Sequence, residues 1–169
     1  MTNKSWNIPR DLLPMSVEHM RGYGARGHEG LVLWFGNEIG GVVTITHLVV
    51  PYGTGLVTHP LHLSLSLRAM SRITRLAEEL DGYWAGQIHS HPGTMLQLSE
   101  VDERMGIHVQ DYLSLVCPHY AQRDTREVGQ CGVHTFDGGA YRRLSVSEVA
   151  RRIVVSKRRV EFVPVEVLA

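Results

Sequence analysis

Two histidines, a carboxylate and a hydroxyl fall within fourteen residues, in the run Gly86-Gln87-Ile88-His89-Ser90-His91-Pro92-Gly93 and the following Ser99-Glu100-Val101-Asp102. His89 and His91 are two apart, so on a β-strand both imidazoles project from one face. Pro92-Gly93 then ends the strand, since proline donates nothing to a ladder and glycine opens a turn. Ser99 is a helix N-cap type, and Asp102 three residues later falls in the first helical turn, facing back toward the strand end. Two imidazoles and one carboxylate leave a tetrahedral zinc with a fourth position open for water, the pattern of a catalytic site, although other first-row ions also accept these donors. Ser-x-x-Asp alone is an ordinary capping box and His-x-His alone a common strand pattern. Their conjunction, with Ser99 eight residues past His91, points to a metal site.

The elements that must position these groups follow from periodicity. Residues 83–91 read as the strand carrying the histidines, 99–109 as the helix carrying Asp102, and 112–117 as a buried strand. Upstream, residues 31–35 and 41–50 are apolar, β-branched runs around Gly36-Asn37-Glu38-Ile39-Gly40, a hairpin pattern. Residues 66–80 form the clearest helix, with Met70, Ile73, Ala77 and Leu80 on one face and Arg68, Arg72, Arg75 and Glu79 around the others. Residues 1–10 are polar and expected to be loose. Residues 11–21 are apolar at intervals but broken by Pro14, so that Ser16 would cap a short helix. Gly22, Gly24 and Gly27 make a flexible approach to Glu29, and residues 51–60 read as a loop before a short strand at 61–65. A closing hairpin is expected from residues 130–136 and 140–144, a final helix from Ser145 or Ser147, and from residues 160–167 an edge strand or a partner-binding tail.

Composition bounds the function. At 169 residues, 43% hydrophobic and 20% charged, the chain suits one domain with a core. Seventeen basic residues balance seventeen acidic ones, so no net field draws it to nucleic acid or membrane. There is no secretory pattern and no run of membrane-span length, which makes a cytoplasmic protein the expectation. Cys117 and Cys131 match no zinc-finger spacing and read as buried, reduced thiols.

The His89-Ser90-His91-Pro92-Gly93 and Ser99-Glu100-Val101-Asp102 segments resemble the core of the JAMM metalloproteases, the MPN-domain proteins. The resemblance spans roughly residues 12–145, after a flexible segment 1–11, with residues 146–169 a helix and strand-like tail packed on the same domain. It implies an α/β, or α+β, sandwich of cytidine-deaminase-like architecture, its central, mostly antiparallel sheet flanked by helices. It implies Zn²⁺ held by His89, His91 and Asp102, and Ser99 assisting the oxyanion. It also implies a glutamate at the head of an early strand as general base and acid, for which Glu29 is the counterpart and Glu38, beyond Gly36-Asn37, the competitor. The implied activity is hydrolysis of a peptide or isopeptide bond after the C-terminal tail of a ubiquitin-like protein. The compactness fits a bacterial conjugation, sulfur-carrier or antiviral system. Leu56, Val57, Met95 and Leu96 are the candidate contacts for that tail. Two other readings stand beside this one. Family members that have lost ligands serve as non-catalytic scaffolds. RadC-type proteins carry a related His-x-His-Pro motif beside nucleic acid, and here seven basic residues cluster at Arg142, Arg143, Arg151, Arg152, Lys157, Arg158 and Arg159. Nucleic acid is the least expected partner, because a charge run is usually a solvated face. Oligomeric state is open.

Overall fold

The computed structural model describes residues 4–169. Strands β1 (Ser5–Pro9), β2 (Leu31–Ile39), β3 (Val42–Tyr52), β4 (Leu56–Thr58), β5 (Leu63–Leu65), β6 (Tyr83–Ser90), β7 (Leu113–Cys117), β8 (Gly132–Asp137), β9 (Ala140–Arg143), β10 (Ile153–Ser156) and β11 (Glu161–Glu166) alternate with helices α1 (Leu12–Gly24), α2 (Leu67–Glu79), α3 (Glu100–Met105) and α4 (Val146–Arg152). Among the described residues, nine strands form one sheet in the order β10-β1-β3-β2-β6-β7-β8-β9, with β11 also on β3, while β4 and β5 pair separately.

β2 is central, and its buried run Leu31–Phe35 serves both faces at once, as a near-continuous apolar strand should. Val32 and Trp34 pack with Ile88 against Leu12, Leu13, Val17 and Met20 of α1. Leu31, Leu33 and Phe35 pack against Ala69, Ile73, Leu76 and Ala77 of α2. The Ser66 hydroxyl caps α2 by accepting from the Ala69 amide at 3.0 Å. The buried stripe is therefore rotated by about a residue from the expected one. Leu31 is in register with His89, so the imidazoles emerge on the α2 side of the sheet.

The sheet is mixed rather than mostly antiparallel. β1–β10, β1–β3, β11–β3 and β6–β7 are parallel, and β2–β3, β2–β6, β7–β8 and β8–β9 antiparallel. The parallel β6–β7 pair governs the site. A parallel partner requires a crossover, and residues 91–112 supply it, laying α3 across the end of β6.

Several local expectations are corrected. The N-terminal stretch is not loose, because Trp6 and Ile8 are fully buried and β1 lies between β10 and β3. Residues 1–3 of that stretch lie outside the described residues. Pro14 does not interrupt α1, since its missing amide falls in the first turn, where no intrahelical partner exists. Ser16 is no cap; it donates to the Leu12 carbonyl at 2.7 Å and accepts from the Trp34 indole at 3.0 Å. The β2–β3 turn is at Gly40-Gly41, both with positive φ, while Gly36 stays in β2 at a bulge, where a Cβ would collide with the Thr44 carbonyl. The 51–60 stretch contains the end of β3 and all of β4, and α3 stops at Met105. The tail forms edge strand β11, with Val165 and Val167 buried.

Candidate metal centre

His89 is the penultimate residue of β6, and His91 is the first residue beyond the strand, just before Pro92. Its amide donates to the Cys117 carbonyl at 2.9 Å and its carbonyl accepts from the Tyr120 amide at 2.8 Å, so the extended backbone continues through it. The two Nε2 atoms lie 3.0 Å apart, with the rings tilted by 66°. From the crossover, α3 presents Asp102. Its capping box is closed in both directions: Ser99 Oγ accepts from the Asp102 amide at 3.1 Å, while the Ser99 amide and hydroxyl donate to Asp102 Oδ2 at 2.7 and 2.8 Å. That oxygen stands 3.1 Å from His91 Nε2 and 3.5 Å from His89 Nε2.

The three donor atoms are thus 3.0, 3.1 and 3.5 Å apart. Ligands at about 2.0 Å from a tetrahedral zinc stand about 3.3 Å from one another. The donor set fits a small divalent ion without rearrangement, and these three residues form the group able to hold one among the described residues. Burial opposes ionisation of Asp102, but hydrogen bonds from His89 and His91 outweigh it and hold its carboxyl well below the usual range.

Glu29 completes the constellation through sheet register. Leu31 pairs with His89, Ser90 donates its amide to the Gly30 carbonyl at 3.1 Å, and one further step sets Glu29 opposite His91. Its Oε1 is 3.9 Å from His91 Nε2 and it is only 2% exposed. Burial pushes its carboxyl up to about 7, with His91 pulling it down and Asp102 pushing it up. The metal-free fold therefore favours the protonated acid. Its stabilising contribution is complete below the ordinary value of 4.5 and lost as the pH rises through about 7. Without metal, Glu29→Gln is expected to match the wild type near pH 4 and to exceed its stability at pH 8 by up to about 3 kcal/mol. Urea denaturation in a chelator at the two pH values measures this difference.

The remaining candidates separate. Glu38 lies far along β2 and binds Lys4 at 2.7 Å, which removes it from the centre. His28 turns to the Thr58 hydroxyl at 3.2 Å. Leu96 is half-buried with its carbonyl filling the space over Gly132, where any side chain would collide, and Met95 is exposed. Neither lines the groove of about 80 Å³ that reaches Asp102, which is formed by Leu63, Leu65, Met70, Trp84, Val101 and Met105. Sequence reasoning underrated Ser90. It points away from the imidazoles, as its strand position requires, and its Oγ accepts the Gly30 amide at 2.9 Å, holding the segment beside Glu29. Its place between two site histidines was the available signal. His134 is buried on β8, and burial lowers its pKa to about 4, leaving it neutral. Among the clustered arginines, Arg142 bonds Glu148 at 2.9 Å and Arg152 is buried over the Trp6 ring, so the basic run is not one continuous exposed face. No helix among the described residues is long and apolar enough to cross a membrane.

No family model matches the chain. It is 28% identical over 116 residues, 68% of its own length and 72% of the relative's, to the Sinorhizobium fredii protein named "Probable metalloprotease y4jG". Protein DSY2949 from Desulfitobacterium hafniense shares the fold at a TM-score of 0.57 and 15% identity, over 96% of this chain and 94% of that one. AF2198, a JAB1/MPN domain protein from Archaeoglobus fulgidus, aligns at a TM-score of 0.42 and 14% identity, over 93% and 98% of the two chains. The chain thus combines a mixed, helix-flanked sheet with a His-His-Asp cluster able to hold a metal ion and with distant similarity to a protein named as a probable metalloprotease.

Proposed function

We propose that this chain is a JAMM-type zinc peptidase that cleaves after the C-terminal tail of a ubiquitin-like protein. The observation that carries the reading is the convergence of His89, His91 and Asp102, with a buried glutamate 3.9 Å from one of the imidazoles. The metalloprotease similarity supports metal-dependent hydrolysis in general. Zinc at this cluster would supply a water acidic enough to be a nucleophile near neutrality and would polarise the scissile carbonyl. His89, His91 and Asp102 would hold it, and Glu29, beside His91, is the carboxyl placed to accept and return a proton there. A carboxyl can serve in both directions, as base first and then as acid toward the leaving amine. Ser99 fixes the Asp102 carboxylate, and its hydroxyl, beside the cluster, is our candidate donor for an oxyanion. Donating to substrate requires it to release Asp102 Oδ2.

The groove supports an extended substrate. Among the described residues β5 pairs only with β4, and Leu63, Ser64 and Leu65 line the same groove as Asp102, so a tail can add to the other edge of β5 by main-chain pairing. Ubiquitin-like tails, ending in small residues, suit a cleft this narrow. Metal content and cleavage of a panel of ubiquitin-like fusion proteins test the reading. About one zinc per chain, with cleavage directly after the tail, is the expected result. Stoichiometric metal with hydrolysis only of unrelated peptides would overturn the substrate, and a folded, metal-free, inert protein would leave the scaffold reading.

A further inference from the structure

His119, Tyr120 and Ala121 are three consecutive non-glycine residues with φ of 56°, 52° and 59°, one turn of left-handed backbone just after β7. L-residues visit this region singly and at a steric penalty, so three in succession persist only where the surroundings enforce them. Here the turn aims successive amides at the end of the histidine strand: His119 donates to the Gly93 carbonyl at 2.7 Å and Tyr120 to the His91 carbonyl at 2.8 Å. The Tyr120 hydroxyl reaches the other way and donates to the Pro60 carbonyl at 2.6 Å. The carbonyl of His59, one residue before, accepts the Glu29 amide at 3.1 Å. Helix α1 backs the turn. Arg21 Nε donates to the Ala121 carbonyl at 3.2 Å, Gln122 Nε2 bridges the Tyr120 and Arg21 carbonyls at 3.1 Å each, and Gly24 lies so close to the Tyr120 carbonyl that a Cβ would collide.

We propose that Tyr120 is a positioning residue that ties the His59-Pro60 segment, and through it Glu29, to the backbone of His91. Its amide grips the strand of one proposed ligand and its hydroxyl grips the segment that holds the proposed base. The distance between Glu29 and the histidines is thus set from two sides, by Ser90 on the sheet and by Tyr120 across the loop. The catalytic consequence of this tie rests on the peptidase activity proposed above.

Amide exchange followed by NMR on the metal-free protein tests the tie without substrate. In Tyr120→Phe, which removes only the hydroxyl, the Glu29 and His59 amides are expected to exchange about five- to tenfold faster, with the β6–β7 amides unchanged. Unchanged exchange at Glu29 and His59 overturns the tie, whatever the activity. On a fusion protein that the wild type cleaves, kcat is expected to fall about tenfold with KM and bound zinc unaltered. Faster exchange with an unaltered kcat overturns the positioning role and leaves a structural bond. Gly24→Ala, pushing the turn from the helix side, is expected to reproduce both changes in kind. Absence of turnover in the wild type counts against the peptidase reading alone, because the exchange measurement still decides whether Tyr120 holds the segment.

Discussion

Glu29→Gln is expected to lower kcat by a factor of about 10² to 10⁴ while leaving zinc stoichiometry and KM close to the wild type. Glutamine preserves the shape of the side chain and its capacity for hydrogen bonding, but it can neither accept a proton from water nor return one to an amine. The buried setting makes this substitution unusually clean. Glu29 is 2% exposed, and the His91 imidazole stands 3.9 Å from its carboxyl. It is also not one of the three converging donors. Metal content by mass spectrometry under native conditions, beside steady-state kinetics on a cleaved fusion protein, gives both quantities. Parallel loss of zinc and activity would move Glu29 from base to ligand. Undiminished kcat would remove it from the chemistry.

His89→Ala is expected to produce the opposite pairing, with loss of metal first and of activity in consequence. Removing a hydrogen-bond partner of a metal ligand already costs roughly 10- to 100-fold in affinity, and losing one of only three protein donors exceeds that. A metal that binds only the folded state also stabilises it, by about 4 kcal/mol when free metal is a thousandfold above Kd. A chelator should therefore lower the melting temperature of the wild type and leave that of His89→Ala unchanged. The same chelator should abolish wild-type turnover, with recovery on adding zinc. A variant that keeps one zinc per chain would mean that His91 and Asp102 recruit another donor, and the triad would have to be redrawn.

The distribution of these effects follows how local each part of the site is. The histidine pair and the Ser99–Asp102 capping box are legible from spacing, because a period of two on a strand and a three-residue step into a helix decide orientation within a few residues. Glu29 is sixty-two residues before His91 in the chain, and only the antiparallel β2–β6 register brings them opposite each other. The sequence narrowed the choice to Glu29 and Glu38. Pairing of Glu38 with Lys4 at the far end of β2 removed one of them. Met95 and Leu96 illustrate the reverse. Their apolar character between Gly93 and Ser99 suited a substrate contact, yet the Leu96 carbonyl packs onto Gly132 and neither residue lines the groove that reaches Asp102.

By itself, then, the sequence determined the candidate donor set, the strand and helix that carry it, the amphipathic helix α2 and the closing hairpin. Each of these depends on periodicity and capping within a short window. Tertiary structure alone decided that the sheet is mixed, that Ser5–Pro9 forms an internal strand, and that a left-handed turn after β7 braces the end of the histidine strand. The physical reason is that periodicity states which side chains share a face, whereas strand register, crossover direction and the closing of loops on one another depend on pairings between distant segments. No local pattern encodes those pairings.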